Sequence, residues 1–267
     1  MIRILFSITL LFSILNSQAQ AIYKYSYYCV YDFKFQYDST DTKSIEKDKM
    51  LLFINEKESL FVSYNKFIYD SLSYLTYIKT GSIYGGSYAM EYKTRYPFKI
   101  FKKGENIETI DKAGRSEFVY NEKKKDLRWS LKNEIAIING FKCQKATVFF
   151  GNRFWTAWFD SNVPIQEGPY KFCGLPGIIV KLEDAQNFFV FELKTIISGS
   201  FNYSNIPNSK SLTQISKAKF FELSKNYNEN QYEMDQASGI VFTSGQEEIR
   251  KRIGKLAKRN NNFLELF

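Results

Sequence analysis

Along residues 23–37 the chain alternates strictly. Tyr23, Tyr25, Tyr27, Cys29, Tyr31, Phe33, Phe35 and Tyr37 share one parity, and Lys24, Ser26, Asp32, Lys34 and Gln36 fall on the other. A period of two predicts an antiparallel strand with one buried and one wet face, long enough to need a bend or a bulge. Residues 50–54 and 60–64, joined by Asn55-Glu56-Lys57-Glu58, predict a hairpin. Residues 66–78 carry Phe67, Leu72 and Leu75 at helical spacing and predict a short helix, followed by a loop over 81–86. Between 88 and 131, short strand candidates alternate with charged turns at Lys102-Lys103-Gly104 and Lys123-Lys124-Lys125. Residues 141–150, 153–159, 178–183 and 188–197 read as further strands.

The pattern changes beyond Ile206. Residues 217–226 predict a helix. Ser244-Gly245-Gln246-Glu247 matches a capping box opening another that ends near Arg259, with Ile249, Ile253, Leu256 and Ala257 as its apolar stripe. Turn signals recur about every ten residues. The predicted class is mainly β: a curved antiparallel sheet or partial barrel with a few helices packed on it. No repeat or linker interrupts the pattern, so residues 20–267 are expected to form one β-rich domain.

Residues 1–19 stand apart. Arg3 precedes an apolar run over 4–15, with Ser17 and Ala19 at the small-residue positions of a cleavage site. This predicts a secretory signal peptide cut after Ala19, because the run is too short to cross a hydrocarbon core of about 30 Å. No cysteine sits just after the cut and no later stretch is apolar enough to span a membrane. The expected location is periplasmic or outer-membrane-associated. The 44% hydrophobic and 18% aromatic residues argue against disorder. The formal charge of +9 is read as a reflection of a Lys-rich composition, since nucleic-acid binding conflicts with export.

The most informative segment runs from 155 to 184. Trp155, Ala157 and Phe159 alternate with Phe154, Thr156 and Trp158, so both faces of this strand are largely apolar. Gly168-Pro169 predicts one bend. Pro176-Gly177 predicts the centre of a type II turn, in which glycine takes a positive φ, and Leu175 before proline is pushed toward extended geometry. The expected order is strand, double-bent loop, strand. Its structural reading is a fold-defining corner; its functional reading is a wall of a ligand or partner site.

Gly174-Leu175-Pro176-Gly177-Ile178-Ile179 resembles the hallmark of the GLPGLI family, with isoleucine at the fifth position. Trp155, Ala157, Trp158, Pro164, Gly168 and Pro169 fit the same pattern, as do the upstream run 138–146 and the late run 260–266, where relatives often carry proline at the place of Phe263. The resemblance covers the mature chain and centres on 129–184. It implies an exported protein of Bacteroidota type, in a family whose biochemical role is not established. The strand–W-x-A-W–strand arrangement is also similar to periplasmic lipoprotein-carrier folds, whose curved sheet encloses an apolar cavity, although a shared fold does not carry function.

Candidate chemistry is sparse. Histidine is absent, which removes Ser-His-Asp and Cys-His catalysis and histidine metal sites. Of the three cysteines, Cys29, Cys143 and Cys173, two could pair in an oxidising compartment. Cys143–Cys173 is the preferred pair because both lie in the signature half, while spacing does not fix connectivity and a buried free thiol is the alternative for each. Asp160, Glu167, Glu183 and Asp184 cluster around the signature, and a carboxylate pair could hydrolyse glycosides. No cofactor, nucleotide or metal motif is found. The leading expectation is a non-enzymatic binding or accessory module for an apolar or lipid ligand, or for an envelope partner, with the aromatic concave face as its site. A histidine-free carboxylate hydrolase is the alternative. The basic last helix is a candidate contact for anionic lipid headgroups.

Overall fold

The computed structural model of the protein describes residues 22–82, 88–204, 212–243 and 245–266. The signal-peptide segment, most of the loop over 81–86, and Ser244 therefore lie outside the described residues.

Among the described residues, twelve strands form one open sheet that does not close into a barrel. Following the chain, β1 (Ile22–Gln36) leads into the hairpin β2 (Ile45–Ile54) and β3 (Glu58–Ser63). Asn55 closes that hairpin, its side chain accepting from the amides of Lys57 and Glu58. Helix α1 (Tyr64–Thr80) follows, capped by the Ser63 hydroxyl and ended by Gly81 at φ 69°. A single turn, α2 (Tyr88–Glu91), precedes β4 (Lys99–Lys103), β5 (Asn106–Ala113) and β6 (Ser116–Lys123). The signature half contributes β7 (Ser130–Ile138), β8 (Phe141–Phe150), β9 (Arg153–Asp160), β10 (Ile178–Asp184) and β11 (Phe189–Ser204). The two-residue β12 (Thr213–Gln214) leads into α3 (Lys217–Glu229), α4 (Gln231–Ala237) and α5 (Gln246–Arg259).

The strand order is β12-β6-β5-β4-β3-β2-β1-β11-β10-β9-β8-β7. Neighbours pair antiparallel except β12, which lies parallel on β6. The two halves of the chain meet where β1 pairs with β11 over nearly its whole length. Tight turns set the register: Asn139-Gly140 between β7 and β8, and Gly151-Asn152 between β8 and β9, all take positive φ, as a two-residue type I′ hairpin requires.

The alternation in β1 holds for Cys29, Tyr31, Phe33 and Phe35, which enter the main core with Leu52, Phe61, Ile100, Trp155 and Phe191. It does not hold for the start of the strand. Tyr25 packs on the opposite face with Phe53, Leu60 and Tyr203, and Tyr27 is exposed. The register against β11 slips between Tyr25 and Tyr27, and such a bulge shifts the side-chain phase of the strand. Helix α1 covers this second face. The Phe67 ring packs on Phe53 at 5.2 Å, and the Tyr203 hydroxyl donates to Asp70 at 2.7 Å.

Helix α5 is preceded by Gly245, in the left-handed region and without a side-chain cap; the predicted capping box at Ser244 lies outside the described residues. None of its residues is fully buried, so its predicted apolar stripe is only half-covered.

Candidate functional site

The signature segment forms the predicted strand, bent loop and strand, and the loop plugs the sheet. Tyr170, Phe172, Cys173 and Leu175 are buried in the main core. The Phe172 ring lies 4.9 Å from Trp155 and 5.4 Å from Phe150, and Tyr170 lies 5.4 Å from Phe98. Trp155, Ala157, Phe159, Phe189 and Phe191 are each at most 1% exposed beneath it. The aromatic face is thus filled by the protein's own side chains, which corrects the expectation of an open apolar or lipid site there. Volume explains the difference: a loop rich in aromatic residues occupies the space that the carrier analogy left empty.

The corner works by close approach rather than by a type II turn. Gly177 is not in the positive-φ region; Gly174 (φ 87°) and Tyr170 (φ 56°) are. The Gly177 amide donates to the Leu175 carbonyl at 2.8 Å, a three-residue turn around Pro176. A Cβ on Gly177 would stand 2.1 Å from the Asp160 carbonyl oxygen, and one on Gly168 would stand 2.5 Å from the Ile179 side chain. Both glycines are needed because backbone and side chain pack against them. Leu175 is buried and Pro169 with it, whereas Pro164 and Pro176 are exposed and Trp158 is half-buried.

Polar pins hold the plug. The Tyr31 hydroxyl donates to the Ile179 carbonyl at 2.7 Å, and the Trp129 indole to the Cys173 carbonyl at 2.9 Å. Lys102 of β4 is fully buried, ion-paired with Glu167 at 2.7 Å, and donates to the Gly168 carbonyl at 2.8 Å. The sequence placed Lys102 in a turn; it shares the inward row of Ile100 instead.

Lys171 is the second buried cation. It pairs with Glu265 of the C-terminal tail and with Glu122 of β6 at 2.5 Å, and donates to the Tyr120 hydroxyl at 3.1 Å. Lys217 of α3 pairs with the same two carboxylates, and the Tyr170 hydroxyl donates to Glu265 at 2.6 Å. Burial alone would lower the Lys171 ammonium, but Tyr120, Glu265 and Glu122 outweigh it and raise it above its usual value. Burial alone would raise the Glu265 carboxyl; Lys171 and Lys217 outweigh it and hold it below its usual value. The tail is fixed further by Arg153, which donates to the Phe263 carbonyl and to Asn262.

The candidate carboxylates are not brought together. Asp160 accepts from the Asn162 amide and side chain at 2.9 and 2.8 Å. Glu167 is held by Lys102, Glu183 pairs with Lys181 at 2.7 Å, and Asp184 is buried against Arg153 at 3.1 Å while accepting from the Phe189 amide. Each acid has its own structural partner. Among the described residues no group of His, Cys, Asp or Glu is placed to hold a metal.

The cysteines are free and buried, which corrects the Cys143–Cys173 pairing. Cys143 sits on β8 with its sulfur 3.6 Å from the Phe141 carbonyl. Cys173 sits in the plug near Lys102 and Glu167. Their surroundings differ, and burial pushes the Cys29 thiol up to about 12 and Cys143 up to about 11.

Two clefts flank the plug. One, of about 760 Å³, opens over Trp129, Pro164, Glu167 and Gly174 on the far side of the loop. The other, also about 760 Å³, lies between the sheet and the C-terminal helices. Its floor is Phe98, Asp111, Tyr120 and Tyr170, one wall is α3 with Phe220 and Ser224, and the tail over 260–266 closes the opposite side. The Ser224 hydroxyl is buried without a hydrogen-bond partner. Nothing in the local pattern marked this cleft, because it joins β5, β6, α3 and the tail across more than a hundred residues of sequence.

A protein-family model described as "Protein of unknown function (Porph_ging)" matches residues 150–181. Solved structures of PNGF-II are similar in fold. The one in space group P21 aligns with a TM-score of 0.50 and 9% identity over 74% of this chain and 33% of that chain. The one in space group C2 aligns with a TM-score of 0.49 and 10% identity over 74% and 32%. The chain spans about a third of the length of these solved chains. No curated protein matches it.

Proposed function

We propose that this chain is an exported envelope protein that acts by binding, as a ligand-holding or accessory module, with the cleft between the sheet and the C-terminal helices as its site. The observation that carries the reading is that cleft: about 760 Å³, walled by aromatic rings, with an unpartnered buried hydroxyl at Ser224 and the half-buried Asp111 carboxyl facing it. Aromatic rings share this wall with many polar and charged groups, and such a wall holds a ligand by shape and by polar contacts together. The plug leaves the aromatic face of the sheet no room for a ligand, and the acids near the signature are engaged in holding the fold. Export is supported by the charge, apolar run and small residues of 1–19. The match over 150–181 falls on the segment that carries the GLPGLI resemblance; it supports a family of unknown function and does not single out GLPGLI.

The test combines location and occupancy. The tagged chain is expressed with residues 1–19, fractionated, and its N-terminus determined; the expected product starts at Gln20 in the envelope fraction. Ser224→Trp fills the cleft from the α3 side. Native mass spectrometry of the purified protein should show a co-purifying small molecule that this variant has lost. A cytoplasmic, uncleaved chain would overturn the export reading. Occupancy unchanged by Ser224→Trp would overturn the site.

A further inference from the structure

Three features of the helix-side cleft select one class of ligand. The first is an acid without a counter-ion. Asp111 is half-buried on the cleft floor and accepts from the Lys112 amide at 2.7 Å. The lysines nearby are committed elsewhere: Lys112 pairs with Glu117 at 3.7 Å, and Lys171 with Glu265 and Glu122. Among the described residues no cation pairs with Asp111. The second feature is the aromatic setting. Phe98, Tyr120, Tyr170 and Phe220 line this floor; Lys171 already lies over the Tyr120 and Tyr170 rings, so the rings supply an apolar surround rather than the charge partner. The third is the rim, where Arg95, Lys225 and Lys258 are exposed and opposite in sign to the floor, with Glu229 as the exposed acid beside them.

A negative group deep in the cleft and positive groups at its mouth match a molecule with an ammonium at one end and an anion at the other. Resting on the reading that this cleft is the ligand site, we propose that it binds the free amino end of a short peptide. The α-ammonium sits on Asp111 with the Ser224 hydroxyl as acceptor, apolar side chains lie among Phe98, Tyr120 and Phe220, and the carboxylate faces the lysines of the rim. A cleft of about 760 Å³ accommodates two or three residues.

The charges facing Asp111 fix the pH dependence. Burial raises its carboxyl to about 7; Lys171 and Lys112 lower it and Glu117 raises it. Arg95, the α3 residues Lys225 and Glu229, Lys258 of α5 and Glu265 of the tail line the same cleft. The bound form needs Asp111 ionised and the peptide amine, with a pKa of about 8, protonated. Affinity is therefore bell-shaped, highest between these two values and falling on both sides.

The experiment is calorimetric titration of the mature chain, Gln20 to Phe267, with the dipeptide Phe-Leu, N-acetyl-Phe-Leu and Phe-Leu amide at pH 7.5 and 5.5. Phe-Leu is expected to bind, to lose about tenfold or more in affinity on N-acetylation or in Asp111→Asn, and to lose less as the amide, because the rim is solvated. It should also weaken at pH 5.5 in the wild type and not in Asp111→Asn. The thermal midpoint of each variant confirms that it is folded. Equal binding of the acetylated peptide, or Asp111→Asn binding as the wild type does, overturns the proposal. If no peptide gives heat while a co-purifying ligand is still displaced by Ser224→Trp, the peptide inference fails and the binding reading stands. If Ser224→Trp changes nothing, both fail.

Discussion

Gly177→Ala is the substitution whose cost follows most directly from the geometry. A Cβ at this position would lie 2.1 Å from the Asp160 carbonyl oxygen, 2.6 Å from its carbon and 2.8 Å from the Ser161 Cα. All three are backbone, so no rotamer change relieves the contact, and β9 and β10 must separate by about 1 Å to reach van der Waals distance. That separation acts where Asp160 pairs with Ile178, the Ile178 amide donates to the Val163 carbonyl at 3.1 Å, and the Val163 amide donates to Asp160 at 3.3 Å. Overpacking costs about 1–3 kcal/mol, and two weakened hydrogen bonds add about 1 kcal/mol each. The expected loss is about 3–5 kcal/mol, a large part of the 5–15 kcal/mol that holds a typical domain together. Urea unfolding followed by tryptophan fluorescence reads it, since Trp155 is buried against the plug. Gly174→Ala is the internal control: its φ of 87° is strained for alanine, but its Cβ would meet open space, and about 1–2 kcal/mol is expected. A Gly177→Ala loss below about 1 kcal/mol, or one smaller than that of Gly174→Ala, would refute the close-approach reasoning.

Other consequences follow from the buried charges and thiols. Glu265→Gln leaves Lys171 and Lys217 with one carboxylate between them and should cost about 3 kcal/mol at pH 7 by denaturant titration. The Glu265 carboxyl is held below its unfolded value, so its stabilisation is present above about pH 4.3 and is lost as pH falls through the folded pKa. The gap between wild type and Glu265→Gln should therefore narrow in acid. Lys99 is buried on the α1 side of β4, and burial, then Lys66, hold its ammonium below the usual value. Because a lowered lysine penalises folding at pH values below its folded pKa, Lys99→Met should raise the thermal midpoint at pH 7, with the gain fading at high pH. Cys29, Cys143 and Cys173 should resist a thiol reagent in the native protein and all react in denaturant, and non-reducing peptide mapping should recover no disulfide.

In the signature half, β8 to β11 were legible because period-two patterning is a local signal, whereas β7 went unpredicted. Residues 141–150 and 153–159 correspond closely to β8 and β9. The hairpin at Asn55 and the helix after Ser63 were legible for the same reason. Four things were not. The bulge that turns Tyr25 to the opposite face from Cys29 leaves the sequence parity unchanged, so it is invisible until β11 is laid alongside. By pattern Lys102 belongs to a charged turn and Lys171 draws no reading, yet each is buried against a carboxylate from a distant element; only the parity of Lys102 with Phe98 and Ile100 hinted at an inward direction. Pro176-Gly177 matched a type II turn by composition, while the actual demand on Gly177 comes from the Asp160 carbonyl across the strand pair. The cleft depends on the tail returning to the plug, a long-range contact that short patterns do not encode.

Amide hydrogen exchange of the plug tests the central claim most directly. The amides of Phe172, Gly174, Ile178 and Ile179 donate to the carbonyls of Pro169, Gln166, Val163 and Glu167, inside a loop whose aromatic residues fill the sheet. They should exchange only through global unfolding, with the same protection as the core strand amides of β1 and β9. Exchange of these four amides at the rate of an ordinary surface loop would mean that the segment is a lid over an open interior, and would contradict the account.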